Sequence, residues 1–294
     1  MLIPREARAA LNTFLQTLKL TPSNPESRRG DKAAKLEQIL AYLELIHAQV
    51  RKYSKKRELI FIDCGAGNCY LSFLVYYFYT KIDERRVQIH CLDTNHRLME
   101  KNAQLAQMHR FDQIFFHACD IVEYAHPGAA ELVYSLHACD SATDKTLLLG
   151  LKTNARCILS VSCCQHSLRK RLGSHPYTGM TRHGVFKEKL VYMVADSLRA
   201  LLLEMQGYQV DIVEFVSSRY TDKNILLRAQ KGQVGDLKRL QGEYEKLQHS
   251  FRVIPALEEY LREAGNVPPF SALEPMHSIQ EESCLQNLHP ASLA

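Results

Sequence analysis

No stretch of the 294-residue chain approaches the roughly 20 consecutive apolar residues that a bilayer-spanning helix requires, so a membrane-embedded protein is not expected. The amino-terminal MLIPREARAALNTFL has no long apolar core followed by a small-residue cleavage site, so it does not read as a secretory leader. Nine cysteines are present but no Cys-x-x-Cys pair, which leaves zinc-ribbon and thioredoxin-like readings without support. Cys64, Cys91, Cys119, Cys139, Cys157, Cys163 and Cys164 lie in or at the ends of apolar runs, as reduced core cysteines do in a reducing compartment. A cytoplasmic protein is the expectation. Internal repeats and low-complexity tracts are missing too. With 46% hydrophobic and 23% charged residues, the composition is that of a globular chain able to bury a proper core.

Charge of one sign is unevenly spread rather than scarce. The net charge is only +5, yet residues 1–60 carry twelve Lys/Arg against six Asp/Glu, and residues 167–190 carry six against one. From residue 232 onward the balance reverses, nine acids against five bases. A localised basic surface suits an anionic partner such as RNA, and equally a solvated face.

The hydrophobic pattern changes period along the chain. Leu36, Ile39, Leu40, Leu43, Ile46 and Val50 recur at spacings of three and four, which predicts a helix with one apolar stripe. TPSNPESRRGD, from Thr21 to Asp31, is a breaker-rich loop separating it from an earlier helix. Residues 1–56 therefore read as a helical cap whose stripes must be buried against the rest. Short apolar runs follow at 59–67, 87–95, 113–120, 130–140 and 155–164, each ending in small or polar residues, with helix-like segments such as CYLSFLVYYFYTKI and RLMEKNAQLAQM between them. Strands alternating with helices predict a doubly wound α/β domain, a parallel sheet covered on both faces, over residues 57–231. Val191, Val194, Ala195, Leu198, Leu201, Leu202 and Met205 mark the buried face of a further helix, which Gly207 ends. VDIVEFVSS (210–218) and ILLRAQK (225–231) are joined by only RYTDKN, too short for a parallel crossover, so that pair must be antiparallel. Residues 232–294 read as a helical extension, loosely ordered from Pro268 onward.

The first strand runs into Asp63-Cys64-Gly65-Ala66-Gly67-Asn68-Cys69, where Gly65 and Gly67 are free to take positive φ and to admit a ligand close to the backbone. Residue 70 is Tyr70, so the third glycine of the dinucleotide fingerprint G-x-G-x-x-G is missing, and no Gly-Lys-Ser/Thr follows to make a phosphate loop. Asp93 ends the second run and Asp120 the third. In a doubly wound sheet ligands bind across the strand carboxyl ends. There Asp93 is placed to accept from a ribose diol, Asp120 to sit beside an adenine, and Asp63 to face a cationic group. Helix capping is the competing role for each acid.

From Leu59 to Lys231 the chain resembles class I S-adenosylmethionine-dependent methyltransferases, whose Rossmann-like sheet has seven mostly parallel strands closed by a terminal antiparallel hairpin. It is similar to a branch whose fourth strand ends in His-x-Cys-x-x-Ala-Thr-Asp and whose fifth ends in Cys-Cys-x-His. Here those are His137-Ala138-Cys139-Asp140-Ser141-Ala142-Thr143-Asp144 and Cys163-Cys164-Gln165-His166. The resemblance implies S-adenosylmethionine as cofactor, bound by Asp63, Gly65, Gly67, Asp93, Asp120 and His137. It also implies a methyl acceptor among RNAs, since the branch includes ribose methyltransferases of the tRNA acceptor stem. Two departures stand out. Cys69 replaces a third glycine that the family's loop commonly carries, and the zinc-binding Cys/His fingers of the tRNA enzymes are not evident.

A ribose hydroxyl gains from a general base, and histidine is suited to that near neutral pH. His137 or His166 is the expected base, with Asp140 or Asp144 as its orienter; loop capping is the alternative role. Ser135-Leu136-His137-Ala138-Cys139 is not the Asp/Asn-Pro-Pro-aromatic motif of amino-group methyltransferases, and no proline precedes Cys139, Cys163 or Cys164 as in C5-pyrimidine enzymes. Zinc held by His137, Cys139, Cys163, Cys164 and His166 is a rival reading, disfavoured because adjacent strand-end residues point in opposite directions. No metal is expected. The connection from Ser167 to Lys189 is long for an α/β loop and mixes Arg169, Lys170, Arg171, Arg182, Lys187 and Lys189 with His175, Tyr177, His183 and Phe186, in the manner of a nucleic-acid lid. A small-molecule or protein acceptor, or a binding module without turnover, stays open, as does the oligomeric state.

Overall fold

The alternation of apolar runs and amphipathic segments resolves into one seven-stranded sheet with helices on both faces. The computed structural model describes residues 2–17, 29–138, 140–172, 175, 177–233 and 235–265. The expected loose order from Pro268 onward lies outside them, as does most of the breaker-rich segment after Thr21. Two helices come first, α1 (Arg5–Thr17) and α2 (Arg29–Val50). Strands β1 (Leu59–Cys64), β2 (Val87–Asp93), β3 (Ile114–Ala118), β4 (Leu132–Ala138) and β5 (Cys157–Ser162) follow, each inside one of the predicted runs. Helix α3 (Tyr70–Tyr77), widening into a π turn over Phe78–Ile82, connects β1 to β2. Helix α4 (His96–Met108) connects β2 to β3, and α5 (Ser141–Lys152) connects β4 to β5.

The strand order is β3-β2-β1-β4-β5-β7-β6, where β6 is Tyr208–Glu214 and β7 is Ile225–Lys231. The first five strands pair in parallel. As the short RYTDKN link demands, β6 and β7 are antiparallel, with Tyr208 opposite Lys231 and Glu214 opposite Ile225. The last strand does not sit at the edge. It enters between β5 and β6, so β5 also gains an antiparallel neighbour, with Cys157 opposite Gln230.

Each face of the sheet has its own apolar layer. On one, Phe61, Ile89, Tyr134 and Leu159 pack with residues of α1 to α4, including Leu11, Ile39, Leu43 and Ile46. The amino-terminal helices are therefore part of the same apolar layer as the sheet. Tyr42 holds α2 over the sheet centre, its buried hydroxyl 2.9 Å from the carbonyls of both Ser135 and Leu159. On the other face, Ile62, Leu92, Val133 and Ile158 pack with α5, with α8 (Gly184–Met205) and with α9 (Leu237–Phe251) and α10 (Ala256–Glu263). The predicted face of α8 is buried except that Leu201 is only half-buried, while Leu203 is fully buried.

The segment after β5 differs from the open loop expected between Ser167 and Lys189. It contains α6 (His166–Arg171) and α7 (Thr178–Thr181), and α8 already begins at Gly184. Its exposed Tyr177, Met180, Val185 and Phe186 leave it apolar on the outside as well as basic. Among the described residues no helix is long and apolar enough to cross a membrane, and the described cysteines are free thiols.

Candidate functional site

Strand register brings the glycine turn to the carboxyl end of β2. Asp63 pairs with Cys91 and Cys64 with Leu92, so Gly65 emerges beside Asp93. The amides of Gly65 and Ala66 both donate to the Leu92 carbonyl, at 2.8 and 3.0 Å. Gly67 N donates to Asp93 Oδ2 at 2.9 Å, while Asp93 Oδ1 accepts from Asn95 N, also at 2.9 Å. Asp93 thus ties the turn to the start of α4, whose own cap is Asn95. Gly65 and Gly67 sit at φ +69° and +53°, a region open to glycine and costly for other residues. A Cβ at either would touch nothing closer than about 3.9 Å, so the space above the turn is open.

Cys69 occupies the same left-handed region, at φ +53°, where the resemblance places a third glycine. Its thiol is buried and lies 3.2 Å from Asn102 Nδ2, which also donates to the Gly67 carbonyl at 2.8 Å. The cysteine keeps the glycine-like backbone, and Asn102 braces the turn from α4.

Beside the turn lies a cleft of about 240 Å³, lined by Asp63, Gly65, Ala66, Gly67 and Tyr70, by Leu136 and His137 of β4, and by Lys35, Gln38 and Ile39 of α2. Asp63 is 3% exposed; it accepts from Ser72 Oγ, so the Tyr134 hydroxyl 2.9 Å from that oxygen must donate to it. Burial raises the Asp63 carboxyl to about 7, the Ser72 hydrogen bond opposes this, and the nearby Asp93 adds to it. His137 stands at an irregularity where the β4–β5 register shifts, with φ +65°. Its Nε2 lies 2.9 Å from Gln38 Oε1, so in this arrangement Nε2 carries the hydrogen. Burial, with help from Lys35, lowers the His137 pKa, which keeps the ring neutral near pH 7. Lys35 and Gln38 were not foreseen. In the sequence they are polar positions of an amphipathic helix, and only the docking of α2 turns them toward the cleft.

The other candidates lie elsewhere. Asp120 accepts from Lys145 Nζ at 2.5 Å and from Val122 N at 3.0 Å. Burial works against its ionisation, but the Lys145 and backbone hydrogen bonds outweigh that and lower its pKa. It does not line the cleft. Asp140 is not an orienter of histidine: both its oxygens accept from Ser167 N, at 3.0 and 3.2 Å, and one from Ser167 Oγ, so it caps α6. Asp144 is also removed from both histidines. At 3% exposure it accepts two bonds from Arg199, at 2.9 and 2.7 Å, and Arg199 reaches Asp196 at 3.1 Å. Helix α5 begins at Ser141, so Asp144 lies within its first turn.

A second cleft of about 230 Å³ opens past β5, lined by Cys163, Cys164, Gln165, His166 and Arg169 together with Glu188, Val191, Tyr192 and Lys223. It adjoins the first through Cys163, whose Sγ is 3.5 Å from the His137 carbonyl. His166, exposed, therefore belongs to this second cleft rather than to the first. Lys170 and Arg182 are exposed, and Arg182 Nε lies 3.0 Å from His183 Nε2; for Arg171 the backbone alone is described. Cys139 lies outside the described residues, and among those described no three His, Cys, Asp or Glu side chains are placed to hold a metal. A larger cleft, about 390 Å³, sits by Tyr53, Arg156 and Lys231, where β4 and β5 begin and β7 ends. It is the wrong end of a parallel sheet for this chemistry.

Residues 34–171 match a protein family described as a methyltransferase domain. No curated protein matches the chain. Among solved structures, magnesium protoporphyrin IX methyltransferase from Synechocystis PCC 6803 with bound SAM is 11% identical with a TM-score of 0.43, covering 77% of this chain and 97% of its own. Geranyl diphosphate C-methyltransferase from Streptomyces coelicolor A3(2) is 12% identical with a TM-score of 0.43, covering 72% and 88%. An rRNA methylase from Streptococcus thermophilus is 9% identical with a TM-score of 0.39, covering 67% and 94%. Over residues 34–171, just under half of its length, the chain is similar to a methyltransferase domain.

Proposed function

We propose that the protein methylates RNA, with a ribose hydroxyl, as in tRNA, the favoured acceptor. The observation that carries this reading is a pair of clefts linked by the contact of Cys163 Sγ with the His137 carbonyl: one beside the glycine turn and an acid that burial holds near neutrality, the other polar and flanked by Arg169 and Lys223. When bound, S-adenosylmethionine supplies an activated methyl group on a sulfonium sulfur. The protein positions it. Gly65 and Gly67 leave room for close approach, and Asp93, with one backbone donor on each oxygen, keeps lone pairs for a ribose diol. Asp63 faces the cationic part. Asp120, held by Lys145 and outside the cleft lining, is not needed for this placement. His137 lines the first cleft and His166 the second; a neutral imidazole is the form able to take the proton of an attacking hydroxyl. Arg169, Lys170, Arg171 and Arg182, with exposed Tyr177 and Phe186 nearby, provide the phosphate contacts and stacking surfaces of an RNA-binding face.

Asp63 makes the cofactor step pH-dependent. Below about pH 7 the acid is protonated, and a cation bound beside it draws that proton off, so binding is opposed there. Affinity for S-adenosylmethionine, measured calorimetrically, should rise from about pH 6 to about pH 8 and then level, with proton release on binding at the low end. A flat profile without proton release would take Asp63 out of the site.

The acceptor is tested by incubating the protein with tritiated-methyl S-adenosylmethionine and total cellular RNA or total cellular protein in separate reactions. Label is expected in the RNA, in ribose after nuclease digestion, and RNA affinity should fall steeply with added salt. Label confined to protein, or RNA affinity indifferent to salt, would sink this reading.

A further inference from the structure

The second cleft contains a side chain that the fold does not use. Gln165 is 4% exposed and lines the cleft, yet neither its Oε1 nor its Nε2 has a hydrogen-bond partner. Buried carboxamides are ordinarily satisfied, because a stranded donor or acceptor keeps its full desolvation cost. Gln165 also stands at the cap position of α6, where a short polar side chain would normally bond the first amides. It makes no such bond, and Asp140 from the end of β4 takes the Ser167 amide instead. Neither helix capping nor core packing accounts for a glutamine here.

We infer that the second cleft is a nucleotide subsite for the methyl acceptor, in which the Gln165 carboxamide reads the hydrogen-bonding edge of a base. This rests on the RNA reading above and deepens it. A carboxamide offers one donor beside one acceptor in a plane, which matches a base edge with an acceptor beside a donor; both atoms are closed off as the side chain stands, so reading a base requires it to turn out into the cleft. The surroundings supply the rest of a nucleotide's needs. Arg169 is exposed on the rim without a carboxylate partner among the described residues, suited to a phosphate. Lys223 is fixed by Glu188 at 3.1 Å and by the Tyr192 hydroxyl at 3.0 Å, and its ammonium lies 4.5 Å from the Tyr192 ring centre. Tyr192 in turn donates to the Cys163 carbonyl at 2.7 Å. That chain of contacts braces the cleft wall beside Cys163, whose Sγ reaches the His137 carbonyl at the edge of the cofactor cleft.

The full chain, saturated with S-adenosylhomocysteine and carrying 15N-glutamine, is titrated with AMP, CMP, GMP and UMP while its side-chain amide resonances are followed. The Gln165 resonance, identified by its loss in Gln165→Leu, should move with at least one nucleotide. That nucleotide should bind Gln165→Leu at least about tenfold more weakly, the scale of one bidentate base contact, with cofactor affinity unchanged and the melting temperature at or above wild type. A resonance that stays put with all four nucleotides overturns the subsite, as does equal binding by the variant. Should Gln165→Leu lose its cooperative melt, Gln165→Glu, which keeps the shape and loses the donor, decides by the same loss of affinity. Total RNA left unlabelled while a mononucleotide still binds through Gln165 would sink the RNA acceptor and keep the subsite for a free nucleotide. RNA methylated at full rate by Gln165→Leu would do the reverse.

Discussion

Gly65→Arg should abolish measurable cofactor binding, a loss of at least about a hundredfold in calorimetric affinity for S-adenosylmethionine, and Asp93→Ala should weaken it by about tenfold or more. The two changes act on one turn by different means. At φ +69° any side chain is strained, by about 1 kcal/mol, and the space that a Cβ would enter is the open side of the turn, so a guanidinium-bearing chain fills the cleft. Asp93→Ala leaves the space open and removes the acceptor of both Gly67 N and Asn95 N, so the turn loses its tie to α4. Both variants should keep a cooperative melt within a few degrees of wild type, because neither residue packs in the apolar layers. Unchanged affinity in both would detach the glycine turn from the cofactor, and the functional reading would go with it.

Arg199→Ala should be the most destabilising single change at a position remote from the clefts. Arg199 is 2% exposed and neutralises Asp144 and Asp196, both under a tenth exposed, between α5 and α8. Burial raises the Asp196 carboxyl despite its charged hydrogen bond from Arg199, and the two acids together push the Arg199 pKa upward despite its own burial. Taking the cation away strands two buried carboxylates, a loss of about 3–5 kcal/mol. For a chain of this size that is a fall in Tm on the order of 10 °C. The gap from wild type should narrow as pH falls, because the stranded Asp196 carboxyl, already raised by burial, takes up a proton and so costs less. Replacing all three, Asp144→Leu with Arg199→Leu and Asp196→Ala, should recover most of the loss, since well-packed apolar groups of similar volume replace a buried ion triad at little cost. A single Arg199→Ala variant that melts like wild type would show that the triad is not the clamp its geometry describes.

That triad also shows where motif reading and structure part. Asp144 closes the His-x-Cys-x-x-Ala-Thr-Asp motif, and proximity in sequence to His137 suggested a shared chemical task. Its partner is 55 residues away on α8, and nothing in an aspartate's own neighbourhood encodes which cation will reach it. Asp140 repeats the lesson with Ser167, 27 residues on. Arg199 and Asp196 were invisible for the same reason: a charged pair inside an apolar stripe reads as the solvent edge of a helix until the partner element is in place. His137 and His166, treated together as candidates for one base, fall in separate clefts, one on β4 and one at the start of α6.

By itself the sequence determined the seven strands, the antiparallel hairpin and the glycine turn facing Asp93. Each of these is local: apolar runs report burial on both faces, a six-residue link forbids a crossover, and a strand ending in Gly-x-Gly makes its own turn. Only the tertiary structure decided that β7 enters between β5 and β6, that α2 lends Lys35 and Gln38 to the cofactor cleft, and which acids are bound up in ion pairs and caps. Those outcomes depend on which surfaces meet, and long-range docking leaves no period or motif in the chain.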